Sequence, residues 1–258
     1  MTPAPLAPEL LPGHRGGIDD RPAPTMTTDL APLLFLPGLL NDAVLWRASI
    51  DALADRAAAS VADLTLDDSV AAMARRTLAV APPRFGLVAL SMGGYVAFEI
   101  LRQAPERVTR LALFDTAAAP ETTERAATRR QGMDQLKVGR FAGVTTRLLP
   151  KLVHASHVHG PVGEGVKAMA ERVGGAAFLR QQRAILDRPD SRPTLATIRV
   201  PTLVAVGADD VLTPPALARE IHQGIAGSCL HVLDKCGHLP PLERPEATGA
   251  LLREWLEA

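Results

Sequence analysis

After its first thirty residues the chain falls into short apolar runs separated by stretches in which apolar residues recur every three or four positions. Leu33 to Leu36, Val61 to Leu66, Phe85 to Leu90, Val108 to Phe114, Thr202 to Val206 and Leu230 to Leu233 have strand length. Several are apolar on both faces, as strands buried inside a parallel sheet are. Helical spacing joins Ile50, Leu53, Ala54 and Ala57; Val70, Met73, Ala74 and Leu78; Val96, Ile100, Leu101 and Ala104; Leu217 and Ile221; and Leu251, Leu252, Trp255 and Leu256. Pro105, Pro214 and Pro245 mark starts and stops. Strands alternating with helices predict an α/β domain: a mostly parallel sheet of about six strands flanked by helices.

Two segments depart from this rhythm. Residues 1–28 are rich in proline and poor in large side chains, which predicts a flexible tail, with Met26 as an alternative start. Residues 120–195 are helix-friendly, rich in Arg and Ala and without a clear strand, which predicts a helical lid inserted into a core made of residues 29–119 and 196–258. No internal repeat is visible.

Composition narrows the function classes. The 258 residues are 47% hydrophobic and 22% charged, enough for one full core. Lys and Arg number 28 and Asp and Glu 28, so no broad positive field exists to gather nucleic acid. The first 26 residues have prolines throughout and no apolar run of seven or more, so neither a secretory signal nor a membrane span is expected there. With only Cys229 and Cys236, no disulfide framework is indicated, which suits the cytoplasm. A Gly-x-Gly-x-x-Gly fingerprint and a phosphate loop are absent, so no nucleotide, flavin or other cofactor is expected.

Ligands of a parallel sheet sit at the carboxyl ends of its strands. The polar residues that follow the apolar runs are Asn41 and Asp42, Ser91, Asp115, Asp209 and Asp210, and His238. A serine hydroxyl becomes a nucleophile when a histidine takes its proton, and the histidine works best when a carboxylate fixes its tautomer. Ser91, Asp210 and His238 supply those roles in chain order nucleophile, acid, base, with Asp115 as the alternative acid. Gly93 and Gly94 leave room for a tight strand-to-helix turn that lifts Ser91 out of the sheet. One of Asp209 and Asp210 also suits capping of the helix near Pro214. Trp46 reads as a core residue, and Glu243 as a structural acid bonding backbone near the histidine.

These motifs resemble the α/β-hydrolase fold superfamily, in its branch of small bacterial hydrolases. Ala89-Leu90-Ser91-Met92-Gly93 resembles the nucleophile elbow Gly-x-Ser-x-Gly, with Ala89 in place of the first glycine. Gly207-Ala208-Asp209-Asp210-Val211-Leu212-Thr213-Pro214 resembles the acid turn, in the register that makes Asp210 the acid. Gly237-His238, followed by Glu243 and Pro245, resembles the histidine loop. The resemblance covers residues 31 to 258 and implies oxyanion donors at the backbone N–H groups of Leu39 and Met92. Pro37 stands where many relatives have histidine, which bears on loop shape more than on backbone donors.

The expected activity is hydrolysis of small to medium carboxylic esters through an acyl-enzyme, the partner being a small acyl substrate. Alternatives on the same three residues are carbon–carbon bond hydrolysis, lactone hydrolysis and elimination; a third is ligand binding without turnover. His154, His157 and His159 could suggest a metal, but no Cys or carboxylate adjoins them and none is expected. Met133, Phe141, Leu148, Leu149, Met169 and Phe178 are expected to pack the lid rather than to form a dedicated acyl pocket, with a substrate-facing place left open for some of them.

Overall fold

The computed structural model describes Met1 and residues 30–138 and 141–258; the tail expected over residues 1–28 lies almost wholly outside them. Six strands form one fully parallel sheet: β1 (Ala31–Leu36), β2 (Ala57–Val61), β3 (Phe85–Leu90), β4 (Val108–Phe114), β5 (Thr202–Gly207) and β6 (Cys229–Leu233), in the order β2-β1-β3-β4-β5-β6.

Alternation along each strand divides the core in two. Leu34, Leu36, Phe85, Leu87, Ala89, Leu111, Leu113, Val204 and Val206 point to one face. There they meet α2 (Val70–Val80), α3 (Met92–Gln103) and α8 (Pro215–Gly224). Leu33, Phe35, Val88, Leu90, Ala112, Phe114, Leu203 and Ala205 point to the other, toward Trp46, Leu53 of the loop after α1 (Arg47–Ala52), and Leu252 and Trp255 of the helix Pro245–Glu257. A strand buried on both faces needs apolar residues at every position, which is why β3 and β5 read as unbroken runs. Trp46 is fully buried between Phe35 and Phe114, with ring centroids 5.3 and 5.9 Å away.

One strand is not where the apolar pattern puts it. The run Val61–Leu66 was the expected second strand, and the preceding helix was expected to reach Ala57; instead α1 ends at Ala52 and β2 occupies Ala57–Val61. β2 is an edge strand that pairs with β1 alone, and Ala58, Ala59 and Ser60 are exposed, so its pairing needs no apolar run. Leu64 is buried in the core outside any strand.

Between β4 and β5 the chain runs through α4 (Thr123–Val138), α5 (Leu149–Leu152), α6 (Pro161–Leu186) and α7 (Arg192–Leu195). The side chain of Glu121, 2% exposed, anchors this segment through ion pairs to Arg125, Arg129 and Arg188. α6 breaks at Gly174, whose φ of 78° and ψ of 170° lie outside the helical region. Among the described residues no helix is long and apolar enough to cross a membrane.

Strand order reverses between β1 and β3, and a crevice opens there beyond the carboxyl ends of the strands. The turn that follows β3 depends on a close approach. A side-chain carbon on Gly93 would stand 2.2 Å from the Leu36 carbonyl oxygen, and one on Gly94 would stand 2.3 Å from Thr116 Oγ1. Gly93→Ala is therefore expected to destabilise the fold by about 1–3 kcal/mol, because a backbone oxygen has to move. In thermal unfolding this lowers Tm by about 2–4 °C per kcal/mol. Gly165→Ala in α6, with nothing within 4 Å of the added carbon, is expected to leave Tm unchanged or raise it.

Candidate active site

Ser91 lies between β3 and α3 with φ 54° and ψ −115°, a region that a residue with a side chain enters only under constraint. Three hydrogen bonds impose it: Ser91 N–H donates to the Phe114 carbonyl (3.0 Å), Gly94 N–H to the Ser91 carbonyl (2.9 Å), and Thr116 Oγ1 to that same carbonyl (2.7 Å). The turn leaves the Ser91 hydroxyl facing away from the sheet.

His238 Nε2 lies 2.9 Å from Ser91 Oγ, and its Nδ1 lies 2.8 Å from Asp210 Oδ2. Both His238 and Asp210 are buried. Asp210 Oδ1 accepts from the N–H groups of Leu212 and Thr213, and Oδ2 accepts from the Thr213 hydroxyl at 2.6 Å. Burial alone would raise the Asp210 carboxyl; the adjoining His238, with hydrogen bonds from His238 and Thr213, holds it well below the usual carboxylate range. Its neighbour Asp209 is exposed. The histidine loop hangs on Glu243, a buried carboxylate that accepts from the N–H groups of Gly237, Leu239 and His154.

Asp115 also reaches this site, but not the base. Its Oδ1 accepts from Gly207 N–H at 2.9 Å, while among the described residues Oδ2 has no hydrogen-bond donor. Burial, and then the charge of Asp210 nearby, push the Asp115 carboxyl well above the usual range. Atoms of Asp115, Asp210 and His238 lie within 4.8 Å of one another. As a metal site this trio would be poor, since Asp210 and His238 are committed to each other and to Thr213 and Ser91. His154 bonds Ser156 through Nδ1 and has the His157 ring 6.5 Å away; His159 is exposed, and the three do not form a ligand cluster. Burial raises the Cys236 thiol beyond the physiological range, which leaves it unreactive. Cys229 and Cys236 are both free.

Leu39 lies on the loop after β1, beside the serine: a side-chain carbon on Gly38 would be 3.4 Å from Ser91 Cβ. Among the described residues no hydrogen bond uses the Leu39 N–H. Met92 opens α3, where the N–H of a first residue has no carbonyl of its own helix to bond.

Ser91 and His238 open on a cavity of about 480 Å³. Leu148, Leu152, Phe178 and Ile185 from the segment between β4 and β5 supply much of its apolar wall. Of the side chains expected to pack that segment, Leu148 and Phe178 face the cavity, Phe141 stacks against Phe178 at 5.7 Å, and Met133, Leu149 and Met169 are buried. The supporting parts played by Thr213 and Thr116 were missed in the sequence; the signal for Thr213 was its place three residues after Asp210, where Asx-type turns close.

Comparison with known proteins follows the same lines. The model of a family described as the alpha/beta hydrolase family matches residues 4–251. A pimeloyl-[acyl-carrier protein] methyl ester esterase of Neisseria meningitidis serogroup C is 30% identical over 176 residues, covering 65% of this chain and 67% of that protein. The structure of a thermophilic esterase from Thermogutta terrifontis superposes with a TM-score of 0.78 at 29% identity, covering 88% of this chain and 89% of that one. An enol-lactonase from Burkholderia xenovorans LB400 gives 0.71 at 25% identity, over 88% and 92% of the two chains.

A carboxyl whose folded pKa is raised contributes stability that is present below its unfolded pKa and lost as pH rises through the folded value. Asp115→Asn has the same shape and no proton to lose. Its stability relative to the wild type, from urea unfolding, is expected to rise as the pH climbs above about 4, the ordinary value of an unfolded aspartate. A difference that does not change with pH would mean that Asp115 is ionised in the native protein.

Proposed function

The chain belongs to the alpha/beta hydrolase family, and on that premise we propose that it hydrolyses small to medium carboxylic esters through an acyl-enzyme formed on Ser91. The observation that carries this reading is the continuous chain of short contacts from Asp210 to His238 to Ser91, ending at a cavity that suits a small ligand.

In this mechanism Ser91 Oγ attacks the acyl carbon as its proton passes to His238 Nε2. Asp210 holds Nδ1–H and stabilises the imidazolium. The N–H groups of Leu39 and Met92 receive the negative charge that develops on the carbonyl oxygen. Collapse of the tetrahedral intermediate breaks the ester bond, and the leaving alkoxide takes the proton from His238. Water then attacks the acyl-enzyme with His238 as base, releasing the acid and restoring Ser91. The helical segment of residues 120–195 acts as the lid, its apolar wall receiving the acyl chain. With both cysteines free, a reducing compartment such as the cytoplasm suits the protein.

A second reading is favoured by the likeness to an enol-lactonase. A lactone passes through the same steps, its leaving group staying tethered to the acyl carbon, so ester and lactone substrates are best tested together.

A fluorophosphonate is expected to label the wild type at Ser91, located by mass spectrometry, and p-nitrophenyl esters to be turned over with a dependence on acyl length. Ser91→Ala is expected to lose the label and about 10⁶-fold in kcat. Asp210→Asn is expected to lose about 10⁴-fold through the wrong histidine tautomer. A folded wild type that takes no label and cleaves neither esters nor lactones would overturn the assignment.

A further inference from the structure

The loop carrying Leu39 is held from a distance. Leu40 has φ 59°, in the left-handed region that a leucine occupies only under constraint, and it is buried. Its N–H donates 3.1 Å to Oε1 of Gln181, a residue of α6 that is fully buried and 141 positions away in the chain. Nε2 of the same amide donates 3.2 Å to the Leu64 carbonyl. Because Leu40 N–H can only donate and Leu64 C=O can only accept, the orientation of the amide is fixed by its partners. Gln181 thus spans the gap between the loop after β1 and the segment after β2.

Gln181 does not line the cavity, whereas its helix neighbours Phe178, Gln182 and Ile185 do. The geometry points to Gln181 as a positioning residue: by fixing the Leu39–Leu40 peptide unit it keeps the neighbouring Leu39 N–H aimed at the oxygen that gains charge beside Ser91. This inference rests on the hydrolase reading above. It makes α6 at once a wall of the acyl cavity and a support of the oxyanion site.

The test compares the wild type, Gln181→Met and Gln181→Asn. Methionine has a similar length and no hydrogen-bonding amide; asparagine keeps a buried amide but is one methylene too short to span both partners. Active sites are counted by fluorophosphonate stoichiometry, and kcat per titrated site is measured on a p-nitrophenyl ester. Inhibition by a trifluoromethyl ketone, whose adduct places an oxyanion in the site, is set against inhibition by the product acid. Both variants are expected to lose about 10- to 100-fold in kcat, less than the loss of a whole donor. Affinity for the ketone should fall by a similar factor, with KM and product inhibition within about threefold. If the methionine variant does not fold, the asparagine variant carries the comparison. An unchanged kcat per titrated site, or equal weakening of ketone and product acid, would overturn the role of Gln181 while leaving the hydrolase reading intact. A wild type that neither takes label nor turns over substrate would overturn both.

Discussion

The geometry of the site turns on one strained residue. Ser91 occupies a backbone conformation that costs about 1–3 kcal/mol, and it persists because the surroundings permit no other. The cost is offset by hydrogen bonds from Ser91 N–H and onto the Ser91 carbonyl, and by the close contact of Gly93 and Gly94 with Leu36 and Thr116. Two consequences follow from the turn. The hydroxyl stands clear of the sheet, within reach of His238, and α3 begins immediately behind it with Met92. A relaxed turn would provide neither.

The buried acids around the serine illustrate how environment divides similar groups. Asp210 receives hydrogen bonds from Leu212, Thr213 and His238 and remains charged despite its burial. Asp115, at the end of the neighbouring strand, is pushed toward the neutral form by its burial and then by the charge of Asp210 close by, against which it has a single N–H donor. One carboxylate in this pocket is stabilised at the expense of the other, as expected for two acids that share a low-dielectric site. Glu243 is spent differently: its contacts are backbone N–H groups that fix the path of the histidine loop.

What could be read from the sequence follows from what burial demands of it. β3 and β5 are buried at every position and nearly all apolar because both faces are covered, so their limits are visible in the residues to within one position. β2 was misplaced because an edge strand of Ala and Ser carries no such mark. Ser91, Asp210 and His238 were legible because each sits just past a strand, and the two glycines after the serine declare the turn. Gln181 was not, since a glutamine in a helix is ordinary until the fold brings Leu40 and Leu64 to its two ends. The relation between Asp115 and Asp210 was equally hidden, because it depends on strands β4 and β5 being neighbours, and the sequence pattern does not state strand order.

The segment between β4 and β5 meets the candidate site in two chemically different ways. Its apolar side chains form cavity wall, and its attachments to the histidine loop run through backbone groups that do not depend on those side chains. The Leu152 carbonyl accepts from His238 N–H at 3.0 Å, and the His154 N–H donates to Glu243 at 2.7 Å. Backbone groups are the same whatever the residue, so Leu152 can present another side chain to the cavity and still hold His238. Side chains make the other attachments: Arg125 donates to the Leu212 carbonyl, Arg172 pairs with Asp42, and Gln181 joins Leu40 to Leu64, where only an amide of that length meets both partners. A hydrolase built this way can change what its cavity accepts by substituting wall residues, while the positions of His238 and of the loop carrying Leu39 and Leu40 stay with the backbone, Glu243 and Gln181.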